Sequence, residues 1–182
     1  MRNVIMWNVI SLDGFFEGNQ PWDLRFHDVV WGEDLERLSI EQLESADTLL
    51  FGRRTYEGMA DYWQTARGRI ADLMNGIRKV VFSNTLPAAS WSNTRLVRGD
   101  AAEEVARLKD APGKDIYIFG SAALSAALTK RGLIEEYRIG IAPVLLGSGR
   151  RLFESETAEL PLQLLESRNT ATGCTVLRYA KR

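Results

Sequence analysis

The sequence predicts an α/β fold with a mostly parallel central sheet, on three observations. Apolar, β-branched runs alternate with helical patterns through most of the chain. Two of those runs end in glycine turns that open helices. The last part of the chain carries strand patterns without helices between them, which sets antiparallel pairing at the C-terminal end of the sheet.

Val4 to Ile10 is apolar and β-branched and stops at Ser11-Leu12-Asp13-Gly14, a strand followed by a turn. Residues 15–34 are rich in aromatic and charged side chains and are expected to form a long functional loop. Leu35, Leu38 and Leu43 predict a helix ending near Ala46, ahead of a strand over 47–51. Short helical pieces follow at Thr55 to Trp63 and Ile70 to Met74, then strands at 79–82 and 94–97. Asp100 with Glu103 is a variant capping box that opens a helix through Leu108. A strand over 115–119 leads into a helix capped by Ser121 and stopped by Gly132. Strands near 135–142, 162–169 and 174–180 complete the chain, the last two as a hairpin-like pair.

At 182 residues the chain suits one domain, residues 1–182, with enough length to bury a core. Its 23 basic and 24 acidic residues leave a formal charge of −1, so no global field draws it to nucleic acid or an anionic membrane. Anion binding has to come from local geometry. No apolar run approaches the roughly 18 residues of a membrane span, and the N-terminus turns polar at Asn8, as a first strand does and a signal peptide does not. Cys174 is the only cysteine, sits in an apolar run, and is expected to be packed. A cytoplasmic protein is expected.

Gly52-Arg53-Arg54-Thr55 directly follows the run Thr48-Leu49-Leu50-Phe51. Its glycine allows close backbone approach, Thr55 offers a hydroxyl, and the arginines suit phosphate. The same four residues also fit a plain strand end with solvated arginines. Gly120-Ser121-Ala122 follows Ile116-Tyr117-Ile118-Phe119 and opens a helix of small residues, leaving N–H donors at a positive helix end. Ser83-Asn84-Thr85 ends a neighbouring strand with hydrogen-bonding side chains. Together these turns point to a nucleotide cofactor rather than a metal, although the spacing of the Rossmann glycine fingerprint is absent. His27, the only histidine, has no second ligand or nucleophile near it in sequence, so no metal is expected. Of the five tryptophans, Trp22 and Trp63 are the leading candidates to line a flat ligand's pocket.

In this order the pieces resemble the dihydrofolate reductase-like family, in particular bacterial proteins related to the C-terminal reductase domain of the riboflavin-biosynthesis deaminase/reductase. The resemblance runs from Ser11-Leu12-Asp13-Gly14 through Gly52-Arg53-Arg54-Thr55-Tyr56 and Phe119-Gly120-Ser121 to the stretch Pro143 to Phe153, and covers nearly the whole chain. It implies a three-layer α/β/α fold with a mostly parallel sheet and an antiparallel C-terminal strand. It also implies NADPH as cofactor, a small-molecule substrate and a homodimer. By match, Gly52, Arg53, Arg54 and Thr55 hold cofactor phosphates, Ser83 and Asn84 lie by the adenosine ribose or its 2′-phosphate, and Gly120, Ser121 and Ala122 cradle the pyrophosphate. Ser11, Asp13 and Gly14 lie by the nicotinamide and substrate, with Asp13 and Ser11 as catalytic candidates and Gly14, Trp22 and Trp63 as substrate contacts.

Three features depart from the family pattern. Phe119-Gly120 stands where a paired glycine before the pyrophosphate helix is usual. Gln20-Pro21-Trp22-Asp23 only partly matches the segment that precedes the pterin-binding acid of dihydrofolate reductases, and Asp28, Glu33 and Asp34 all compete for that role. The lysine that riboflavin reductases carry near the first strand is absent from Met6-Trp7-Asn8. The expected activity is hydride transfer from NADPH to a small planar heterocycle, pterin or aminopyrimidine-like, or to a similar imine or carbonyl. The alternative is a catalytically weak nucleotide-binding module that self-associates.

Overall fold

Strands buried on both faces have to be apolar at successive positions, and the central runs of this chain are. On the first strand Val4 and Met6 join one core cluster while Ile5 joins the other, all at 1% exposure or less. A computed structural model describes residues 1–153 and 159–182. The strands are β1 (Val4–Ser11), β2 (Phe15–Glu17), β3 (Ala46–Gly52), β4 (Arg78–Phe82), β5 (Thr94–Val97), β6 (Asp115–Phe119), β7 (Glu136–Ala142), β8 (Arg150–Arg151), β9 (Leu162–Asn169) and β10 (Thr175–Lys181). The helices are α1 (Glu33–Ser45), α2 (Arg53–Trp63), α3 (Arg69–Gly76), α4 (Ala101–Asp110) and α5 (Ala122–Lys130), with a 3-10 turn at Arg25–Val29.

Eight strands form the main sheet in the order β5-β4-β3-β6-β1-β7-β10-β9. The six from β5 to β7 are mutually parallel. β10 is antiparallel to both of its neighbours, β7 and β9. Of the two C-terminal strands, therefore, only β10 reverses direction, and it lies inside the sheet while β9 forms the edge. α1, α2 and α3 pack on one face through Leu43, Tyr56, Ala60 and Met74, and α4 and α5 on the other through Val105, Leu108, Leu124 and Leu128. The result is the expected three-layer α/β/α arrangement.

The long loop over 15–34 is more ordered than its composition indicates. β2 pairs with β8 in a small second sheet, and Phe26 and Val30 join Leu35, Leu38, Cys174 and Val176 in a third apolar cluster. Cys174 is fully buried there, and burial pushes its thiol up to about 11. β7 lies between β1 and β10 with Tyr137, Ile139 and Ala142 buried, so this apolar strand is consumed within one chain. Among the described residues, no helix is long and apolar enough to cross a membrane.

Candidate functional site

β3 and β6 are adjacent and parallel, but the helices that leave them go to opposite faces of the sheet. A crevice opens at the carboxyl ends of two such strands, and open α/β sheets bind ligands there. The two glycine turns meet across it. The Gly52 N–H donates to Ser121 Oγ at 2.9 Å, and the Ser121 N–H donates to Thr55 Oγ1 at 3.0 Å. Each turn thus supplies one hydroxyl to the other's backbone, forming a reciprocal clasp.

The clasp explains why Ser121 does not act as the helix cap that its position predicts. Its hydroxyl is spent on Gly52, and its own backbone is left-handed at φ 57°, ψ 58°, so no side-chain cap bond reaches α5. α2 begins at Arg53, two residues earlier than the sequence pattern indicates, and also has no side-chain cap. The first-turn N–H groups of both helices have no intrahelical acceptor, and neither first turn carries an acidic residue. Gly120 sits at φ 69°, and a Cβ there would lie 2.9 Å from Thr55 Cγ2. That position requires glycine twice over, for its left-handed backbone and because the Thr55 methyl packs against it.

Arg53 and Arg54 are exposed on the first turn of α2, and Arg53 lies 3.8 Å from Glu57. Ser83 and Asn84 stand at the end of β4, next to β3, but their side chains already hold the following loop. Ser83 Oγ accepts from the Thr85 and Leu86 N–H groups, and Asn84 Oδ1 accepts from the Gly99 N–H. Ala122, buried at 3%, is the first residue of α5 and offers only its backbone.

Ser11, Asp13 and Gly14 lie at the end of β1, the strand next to β6 on the other side. Asp13 accepts from the Ser11 hydroxyl at 2.6 Å, the Leu146 N–H at 3.1 Å and the Gly147 N–H at 2.7 Å. The Ser11 bond is the main influence, with the two backbone donors behind it, and together they hold the Asp13 carboxyl down at about 2. Arg151 donates to the Asp13 carbonyl oxygen, and Asn19 donates to Ser148 Oγ. The first loop and the 143–151 loop are therefore latched into one unit. A Cβ on Gly149 would overlap the Glu17 carbonyl oxygen, so a glycine is needed where the loops close.

The two tryptophans separate. The Trp22 N–H donates to Glu17 Oε1, and its ring lies against α2 at Gly58, where a Cβ would come within 2.6 Å of it. Trp63 ends α2, roughly 16 Å along the helix from Gly52 at about 1.5 Å per residue. Its indole donates to Met59 and its carbonyl accepts from Asn75, so it belongs to the end away from the clasp. Of the acids in competition, Asp34 accepts from the Ala171 N–H, while Asp28 and Glu33 are exposed. His27 has a buried Nε2 without a partner, and burial lowers its imidazole to about 4. Among the described residues no group of three or more His, Cys, Asp or Glu side chains is placed to hold a metal ion.

Sequence reasoning missed Glu17, buried at 8%, and the Leu146 and Gly147 N–H groups that bind Asp13. Gly58, a glycine inside a helical pattern, was the available signal for the tryptophan ring packed against it.

The family model described as the RibD C-terminal domain matches residues 2–176. The uncharacterized protein YyaP of Bacillus subtilis (strain 168) is 28% identical over 186 residues, covering 98% of this chain and 94% of the relative. A crystal structure of a putative riboflavin biosynthesis protein from Shewanella sp. PV-4 superimposes with a TM-score of 0.81 at 22% identity, covering 99% of both chains. Dihydrofolate reductase from Enterococcus faecalis, complexed with NADP(H) and RAB-propyl, superimposes with a TM-score of 0.66 at 13% identity, covering 99% of this chain and 96% of that one.

Proposed function

The chain belongs to the RibD C-terminal domain family, and from that premise we propose that it is an NADPH-dependent reductase. Its substrate is a small planar heterocycle, pterin or aminopyrimidine-like, or a similar imine or carbonyl. The clasp carries this reading: two uncapped helix ends, tied together by Gly52, Thr55 and Ser121, converge at a strand crevice. Such a donor set fits a pyrophosphate.

NADPH, when bound, supplies the hydride. The backbone N–H groups at the starts of α2 and α5 bind its diphosphate, and Arg53 or Arg54 takes the 2′-phosphate. The side chains of Ser83 and Asn84 shape the loop beside the adenosine end. The latched loops, pinned by Asp13, form a wall that orients the substrate and excludes water. Asp13 serves this unit as an anchor. A carboxyl held near 2 that accepts three hydrogen bonds has no proton to give at neutral pH. The proton for the substrate comes from solvent, through water at the loop edge. Trp22, on α2 at Gly58, covers the substrate from that side.

Residues 1–182 act as one domain of this type, in a cytoplasmic homodimer. The support for self-association is β9, which among the described residues has a strand on one side only and on which Leu164 and Leu165 are 51% and 50% exposed. A monomer by light scattering would remove the dimer from this account.

The decisive assay follows NADPH absorbance in the presence of dihydropterins, aminopyrimidines and flavins. Oxidation that depends on one of these compounds is expected. Saturable NADPH binding with no oxidation across the panel would replace the reductase by the nucleotide-binding module.

A further inference from the structure

A second candidate site lies at the other end of the sheet. Where α1 ends and β7 begins, a cavity of about 210 Å³ opens between Leu38 and Gln42 of α1 and Arg138, Arg168, Val176 and Arg178 of β7, β9 and β10. It is remote from the clasp, because α1 runs into the start of β3 whereas the clasp sits at the end of that strand.

Most of the charge around this cavity is already matched. Glu136 accepts from Arg138 and Arg178, each at 2.6 Å, and Arg178 also donates to Glu166 at 2.8 Å. Burial alone would raise the Glu136 carboxyl, but the two arginines overcome it and keep it below its ordinary value. Two donors are left over. Gln42 is 1% exposed; its Oε1 accepts from Arg138, while its Nε2 has no acceptor. The Arg168 side chain, on the exposed edge strand, makes no hydrogen bond or close ion pair among the described residues and acts on Glu166 only through its charge. A buried amide N–H without an acceptor has lost its water and gained nothing in return, so an unmatched one beside a cavity marks a place for a ligand.

We propose that this cavity binds a small organic monocarboxylate. One carboxylate oxygen accepts from Gln42 Nε2 at the floor, and the other faces the Arg168 guanidinium at the mouth. The apolar body rests on Leu38 and Val176. Glu41 and Glu166 line the same cavity, and they disfavour a dianion such as a phosphate monoester while tolerating a single negative charge.

The test is a heteronuclear NMR titration of the full chain with benzoate, with inorganic phosphate in parallel. Benzoate is expected to shift the Gln42 side-chain NH2 signals saturably and leave the amides of Arg53 to Thr55 in place. Arg168→Ala, on an exposed position that does not hold the fold, is expected to weaken that binding by about tenfold or more. Absence of saturable shifts at Gln42, shifts confined to Arg53 to Thr55, or unchanged affinity in Arg168→Ala would each overturn the proposal. Phosphate acting at Gln42 where benzoate does not would overturn it as well.

Discussion

Two places on one sheet edge are built from the same kinds of residue and reach opposite states. The clasp joins Gly52, Thr55, Gly120 and Ser121, and its side-chain bonds leave the first-turn N–H groups of two helices free. The latch joins Ser11, Asp13 and Gly14 to Leu146 and Gly147, and there the hydroxyl and both backbone donors are spent on the carboxylate. A glycine, a hydroxyl and a polar turn at a strand end therefore do not by themselves define a ligand site. What separates the two is whether donors remain once the protein has satisfied itself.

The contrast can be broken most severely at Gly120. Gly120→Val would put a side chain at φ 69° against Thr55, costing about 1–3 kcal/mol in backbone strain. Calorimetry is expected to find NADPH binding lost, while circular dichroism still reports a folded chain. Next come Arg53→Ala and Arg54→Ala: whichever arginine meets the 2′-phosphate should lower NADPH affinity by roughly tenfold or more and leave NADH affinity unchanged. An equal loss for both cofactors would remove the 2′-phosphate role. Thr55→Val takes the acceptor from the Ser121 N–H and should cost about 1–2 kcal/mol in denaturant unfolding, with a smaller loss of NADPH affinity than at Gly120.

Asp13→Asn sharpens the comparison from the other side. It should leave NADPH affinity within about twofold, since additivity holds for separate sites, while hydrogen exchange speeds up at Leu146 and Gly147. The latch also has a predictable pH response. Its carboxyl is depressed from 3.8 to about 2 in the folded chain, so its contribution is fully present above pH 3.8 and is lost as the pH falls through about 2. Exchange protection at Leu146 and Gly147 should follow that window, and a loss already complete well above it would place the latch's stability elsewhere.

Much of the fold was legible because a parallel sheet covered on both faces leaves long apolar runs, such as Leu49-Leu50-Phe51 and Ile116-Tyr117-Ile118. The turns after them were legible as candidate phosphate sites because glycine and small residues ahead of a helix leave its first N–H groups open to an anion. Their meeting was not, since nothing local in residues 52–55 or 120–122 encodes the placement of β6 beside β3. The latch was hidden for the same reason: Asp13 and Gly147 are brought together only by the closure of two distant loops. Trp63 illustrates the opposite error, in which an aromatic residue suited to a pocket proves to serve packing at the far end of α2. Lys79, the second residue of β4, is buried with its Nζ donating to the carbonyls of Met74, Asn75 and Ile77, a satisfaction that no local pattern encodes.

The central claim is that the clasp, and not the latch, receives the cofactor's phosphates. It is tested most directly by calorimetric titration of the unmodified protein with NADPH and with NADH. The account predicts saturable NADPH binding and clearly weaker binding of NADH. Failure of the folded protein to bind either one would contradict it.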